Sequence, residues 1–222
     1  MPFEISDFSI STLQDNKYVK PVQLCYIQNG RTRVWEAVKC HDGVSVLLYH
    51  TDRKAFLLVK QFRAPVHMNH PQYTYTHELC AGIVDKSVSL GQIAREEVLE
   101  ECGFNLPPDR PCKISSFFTN VGISGNQQHL FYASIDDSMK VNEGGGIHNE
   151  QILLTYVPLA EAKQFLFDES LAKTPSLMFA FYWFFKEFGE NAERLPANQK
   201  SCPPGTKDPV SNNENESSTR LK

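Results

Sequence analysis

The sequence has no run of about 18 consecutive apolar residues, and so no segment that would span a bilayer as a helix. It has no Cys-x-x-Cys pair. The cysteines stand at positions 25, 40, 80, 102, 112 and 202, which leaves out the common zinc frameworks and the thioredoxin-type redox motif. It has no basic excess either. Lys and Arg total 22 against 26 Asp and Glu, a formal net charge of −4. That excludes nucleic-acid binding through a generally basic surface, though not a local basic site. The opening stretch MPFEISDFSISTLQ lacks both a basic region and an apolar run, so no secretory leader is expected. Free thiols in a cytoplasmic protein are the corresponding expectation. The histidines show no ligand spacing; His67 and His70 flank an expected loop and receive no role.

What is present suits one globular domain with an appendage. The chain has 222 residues, 41% of them hydrophobic, enough to bury a core without a staple. Residues 196–222 are dominated by Pro, Ser, Asn, Lys and Glu and are expected to form a disordered tail. Apolar, β-branched runs at Val44–Tyr49, Ala55–Gln61, Leu130–Ile135 and Ile152–Val157 predict strands. Val19–Ile27 and Arg33–Lys39 can pair as a hairpin across Asn29-Gly30. Helices are predicted at Leu90–Cys102, Leu159–Phe167 and Pro175–Phe188, the last with Thr174 as its cap and Gly189 as its stop. It is apolar nearly all round, so it should pack in the core or against a second subunit.

The helix at Leu90–Cys102 breaks the burial rule. Ser89 and Gln92 have the spacing of a capping box, and Gly103 is placed to end it. At about 100° per residue, Leu90, Ile93, Ala94 and Val98 share one face, and Glu97 and Glu101 fall inside that apolar stripe. Glu100 lies at its edge. A solvated face explains Glu96, but two carboxylates one turn apart on the inward stripe repel each other and lose hydration. A bound divalent cation resolves the conflict, because Mg²⁺ takes hard oxygen ligands and offsets their charge. A structural salt-bridge network is the competing reading.

The segment Gly82–Phe104 resembles the Nudix box, G-x5-E-x7-R-E-U-x-E-E-x-G-U, with U an aliphatic or aromatic residue. Gly82, Glu97, Val98, Glu100, Glu101, Gly103 and Phe104 are in register. Val88 stands where the family has Glu, and Glu96 where it has Arg; in the family those two mainly brace the loop and helix. Further stretches, Arg33–Lys39, Leu58–Arg63 and Glu78–Gly82, are similar to ADP-sugar and UDP-sugar pyrophosphatases of the Nudix superfamily. Cys80 and Val121 stand where ADP-ribose enzymes tend to carry Pro, and Cys40 where adenine binders often have Arg. These differences favour the UDP-sugar branch.

The resemblance implies an α/β fold, a Nudix α/β/α sandwich with a mixed sheet and an N-terminal β-hairpin region. It divides the chain into residues 1–43, for dimerisation and substrate binding, a hydrolase domain at 44–195, and the tail. It implies Mg²⁺-dependent hydrolysis of a nucleoside diphosphate sugar, UDP-glucose to UMP and glucose 1-phosphate, with Mn²⁺ able to substitute. A homodimer is implied, with neither nucleic acid nor membrane as partner. The alternatives are an ADP-ribose or ADP-sugar pyrophosphatase and a catalytically inactive nucleotide-binding module. By the same resemblance the metal ligands are Glu97, Glu101 and the carbonyl of Ala81, with Glu100 close by as ligand or catalytic group. Glu150 serves as general base or as an extra ligand, with Glu143, before the flexible Gly144-Gly145-Gly146 run of a lid, as the alternative. Arg63 holds a phosphate, Trp35 stacks on the base, and Glu36 accepts a hydrogen bond from the base edge.

Overall fold

The computed structural model describes residues 5–11, 19–147 and 150–189. The expected tail at 196–222 lies outside them. The chain forms two compact units. One takes the residues up to Cys40 together with Thr119–Asn126, and the other His41–Phe118 with the residues from Gln127 onward.

In the first unit, β1 (Lys20–Gln28) and β2 (Arg31–Lys39) form an antiparallel ribbon. Asn29 and Gly30 turn it, with φ of 52° and 73°. Left-handed angles at both central residues are what a two-residue turn needs to match strand twist, and Asn-Gly tolerates them best. The 119–126 segment docks on β2 through Trp35 Nε1–H to the Gly122 carbonyl (2.8 Å) and Val38 N–H to the Ile123 carbonyl (2.9 Å).

The second unit is built on an eight-stranded mixed sheet. Its elements are β3 (Gly43–His50), β4 (Ala55–Gln61), α1 (Ala64–Asn69), β5 (Thr76–Glu78), β6 (Cys80–Ile83) and α2 (Leu90–Glu97), followed by a π-helical turn (Val98–Cys102). Then come β7 (Cys112–Phe118), β8 (Gln127–Ile135), β9 (Ile152–Pro158), α3 (Ala162–Phe167), β10 (Ala172–Lys173) and α4 (Pro175–Phe188). The strand order is β10-β5-β4-β3-β8-β7, with β6 also paired to β3 and β9 to β4. The β3–β8 and β10–β5 pairs are parallel.

β3 is buried along its whole length, because helices cover both sheet faces. Val44, Val46 and Leu48 pack with Ile93, Ala94, Val98 and Cys102. Leu47 and Tyr49 pack with Leu177, Phe181 and Phe184 of α4. This is the α/β/α sandwich. Among the described cysteines, Cys25, Cys40, Cys80 and Cys102 are free thiols. No described helix is long and apolar enough to cross a membrane.

The predicted strands and the last helix recur within a residue or two at most ends. The Leu159–Phe167 prediction shortens to α3, and the Leu90–Cys102 helix changes type at Val98. α4 is a core helix. Phe181 is fully buried and stacks on Phe56 of β4 at 4.1 Å between ring centroids. Replacing Phe181 with Ala is expected to cost about 3–5 kcal/mol through lost burial and a residual cavity. Urea unfolding should show a lower midpoint with an unchanged slope.

Candidate active site

Ser89 caps α2, its hydroxyl accepting from Gln92 N–H at 3.2 Å. The helix then widens into the π turn, a geometry that occurs mostly as single turns at functional sites. Gly103, at φ 76°, stops it, and a Cβ there would lie 2.1 Å from the Asn142 carbonyl oxygen. The π turn presents Val98, Glu101 and Cys102 inward.

Glu101 is only 6% exposed, and its Oε2 accepts the Ala81 backbone N–H of β6 at 2.9 Å. Ala81 is fixed by its register opposite Ser45 on β3. Glu97 lies against the next residue of β6: a Cβ on Gly82 would stand 2.0 Å from the Glu97 carboxylate. Gly82 thus leaves the room that the Glu97 carboxylate occupies here. Burial, with repulsion from Glu100 and Glu150 in support, raises the Glu97 carboxyl to about 7. Burial also raises Glu101 to about 7, with Glu97 and Glu150 adding to it and the Ala81 N–H opposing it. Glu100 is half-buried beside them.

The Gly144–Gly146 run does not hang free. Gly145 N–H donates to the Glu101 carbonyl at 2.8 Å and Gly146 N–H to the Glu100 carbonyl at 3.2 Å. All three glycines have positive φ, and a Cβ on Gly144 would meet the Glu101 carbonyl at 2.3 Å. The run straps across the backbone of the π turn. It delivers Glu150, whose Oε2 accepts Ile147 N–H at 3.1 Å and whose charge reaches Glu97 and Glu101. Glu143 is 99% exposed and stands 3.9 Å from Lys140.

Arg63 follows β4 and is the cap residue of α1. Its Nε and Nη2 both donate to Glu78 of β5, at 2.8 Å each. The fork that the sequence offered to a phosphate is therefore already engaged on one edge. The Arg63 charge is stabilised first by that Glu78 pair and further by Glu101 and Glu150, which places Arg63 in reach of the same cluster. The sequence marked Glu78 only as the first residue of the Glu78–Gly82 stretch that carries the resemblance, and assigned it no role.

Lys86 supplies a second unexpected contact. Its Nζ meets Glu96 Oε2 at 2.7 Å, and Gln92 Nε2 donates to Glu96 Oε1 at 3.1 Å. The loop before α2 is thus tied to the helix by a Lys–Glu pair. The signs are opposite to those of the Glu and Arg that the Nudix box carries at positions 88 and 96.

The structure thus brings Arg63, Ala81, Glu97, Glu100, Glu101 and Glu150 together in the second unit. Trp35 and Glu36 belong to the first. Trp35 is half exposed, and as strand neighbours the two point to opposite faces of the β1–β2 ribbon.

No family model matches the chain. The chain is 31% identical to the uridine diphosphate glucose pyrophosphatase NUDT14 of Bos taurus, over 82% of this chain and 94% of that protein. It is 34% identical to a GDP-mannose pyrophosphatase of Cronobacter sakazakii, over 54% of this chain and 62% of that protein. Among solved structures, an ADP compounds hydrolase superposes with a TM-score of 0.63 at 18% identity, over 81% of this chain and 92% of that one, a likeness of fold. With a mixed-sheet sandwich, a carboxylate-bearing helix set against β6 and a near full-length relative, the chain belongs to the Nudix pyrophosphatases, hydrolases of acid anhydrides.

Proposed function

We propose that the chain hydrolyses the diphosphate of a nucleoside diphosphate sugar, with UDP-glucose cleaved to UMP and glucose 1-phosphate and Mg²⁺ as the working ion. The observation that carries this reading is the pair Glu97 and Glu101, raised to about 7 while pressed against the β6 backbone. Two carboxyls that their surroundings hold against ionisation fit a hard divalent cation, which compensates them both. Glu97, Glu101 and the Ala81 carbonyl would hold it, with Glu100 alongside. When bound, such ions polarise the diphosphate and acidify water at the site.

The chain's own groups supply the rest. Glu150, in reach of both carboxylates, takes the proton of the attacking water. Arg63 is oriented by Glu78 and retains Nη1 for a phosphate oxygen. Trp35 is the group that would stack on the base; Glu36, on the opposite face of the ribbon, cannot reach the edge of the same base. The relative named for UDP-glucose is matched along nearly its whole length, which supports uridine over adenine. The first unit exposes Leu24, Tyr26, Ile27, Val34 and Trp35, and apolar surface of this kind suits a homodimer contact.

An inactive binding module was suggested by Val88 and Glu96. The Lys86–Glu96 pair weakens that suggestion, since the loop keeps a tie to the helix despite both departures.

Replacing Glu101 with Gln is expected to lower turnover about 10³-fold, several kcal/mol of transition-state stabilisation, with the thermal melt intact. Purified protein would be assayed with Mg²⁺ against UDP-sugars, ADP-sugars and ADP-ribose, and the products weighed by mass spectrometry. Full activity in that variant would sink the metal assignment, and no hydrolysis with retained binding by the wild type would select the inactive module. The Glu78→Gln substitution should lower kcat/KM about 10-fold, mainly through KM, because one charge-assisted bond to Arg63 is lost. An unchanged KM removes Arg63 from the phosphate site. The Lys86→Glu substitution should cost activity about 2- to 5-fold, as befits a half-exposed pair. Activity should return in the Lys86→Glu/Glu96→Lys double variant; failure to recover would show that the pair does not act as a brace.

A further inference from the structure

The second unit holds a further polar cluster at the opposite end of β3. Ala81 pairs with Ser45 near the start of that strand, and His50 ends it five residues later, ~17 Å on at the rise of an extended strand. The imidazole of His50 is fully buried, between the ring edges of Phe104 and Tyr156 at 5.8 Å each. Neither of its ring nitrogens makes a hydrogen bond. Nε2 points at Asp137 Oδ1, 3.3 Å away, without forming a bond of acceptable geometry. A buried imidazole whose Nδ1 is unpaired and whose Nε2 has only this long contact is costly and calls for a partner.

Two exposed carboxylates converge on it. Asp52 lies in the β3–β4 turn and Asp137 in the short 3-10 helix after β8. One ligand atom from each of His50, Asp52 and Asp137 lies within 4.8 Å of the others. The carboxylates are held in place: Asp137 N–H donates to Asp52 Oδ2 at 3.0 Å, and Thr51 N–H to the Ile135 carbonyl at 2.9 Å.

We propose that His50, Asp52 and Asp137 form a second cation site, separate from the diphosphate site, for a transition-metal ion of the Zn²⁺ class with water completing its shell. The imidazole nitrogen selects this class over Mg²⁺, which prefers an all-oxygen shell. The cation facing the cluster in this structure is Arg53, whose Nη2 stands 3.5 Å from Asp137 Oδ1 and whose guanidinium lies over Tyr156 at 4.5 Å. Arg53 is half exposed and can swing away, so it competes with the metal rather than blocking it.

The test uses the full chain with Mg²⁺ in excess to fill the hard-oxygen site, and Co²⁺ as a coloured stand-in for Zn²⁺. Wild type and Glu101→Gln should each bind one equivalent of Co²⁺, read by equilibrium dialysis and by a visible band typical of a nitrogen ligand. The substitutions His50→Gln and Asp137→Asn should each weaken binding at least about tenfold. Asp137 is on the surface, so its variant folds even where the buried His50 change does not. Arg53→Ala should bind several-fold tighter, which a merely structural His–Asp contact would not produce. No Co²⁺ bound by wild type, binding unmoved by Asp137→Asn, or binding lost only in Glu101→Gln overturns the proposal.

Discussion

Everything at the candidate active site depends on one unfavourable act, the burial of Glu97 and Glu101 against the backbone of β6. A carboxylate taken out of water costs several kcal/mol. One backbone N–H, that of Ala81, returns only part of this. The remainder is a debt that burial and mutual repulsion register as carboxyls raised to about 7. A fold that retains such strain holds the two groups where a cation and an anionic diphosphate can release it. The rest of the unit makes sense as what keeps them there.

Three features do this. Gly82, with no side chain, leaves the Glu97 carboxylate its present place against β6. The π turn ends at Gly103 and is strapped by Gly145 and Gly146, which satisfy the Glu101 and Glu100 carbonyls that the widened helix leaves open. Behind them, β3 carries apolar residues on both faces and anchors β6 and β8 at once. A strand buried on both sides cannot slip by one residue without swapping every side chain between two differently packed cores, so the position of Ala81 is set by the core.

Much of this was legible in the sequence, and the boundary of legibility has a physical pattern. Unbroken apolar runs gave β3, β4 and β9, Asn29-Gly30 gave the hairpin, and Thr174-Pro175 with Gly189 bounded α4. Those signals are local. The helical wheel found Glu97 and Glu101 because a charge on an apolar stripe is a local contradiction. The wheel assumes 3.6 residues per turn throughout and so could not show the π turn at Val98–Cys102. β5, β6, β10 and α1 were missed because two to six residues are too few for any periodicity; β7, at seven, was missed because its alternation breaks where its register shifts, between Lys113 and Ser115. Glu78 was missed because its meaning is the distant guanidinium of Arg63.

The Lys86–Glu96 pair carries this argument one step further. Judged position by position, Val88 and Glu96 count as two losses from the Nudix box. Physically, the box needs an ionic tie between the loop and the helix, and the tie has no preferred polarity when both ends are half exposed. A lysine two residues before the usual site can reach a glutamate on the helix as well as a glutamate can reach an arginine. Gln92, one turn before Glu96, holds that carboxylate for it. A motif written in residue types therefore scores a defect where the interaction persists. What must be kept is the contact, and its owner can move along the chain.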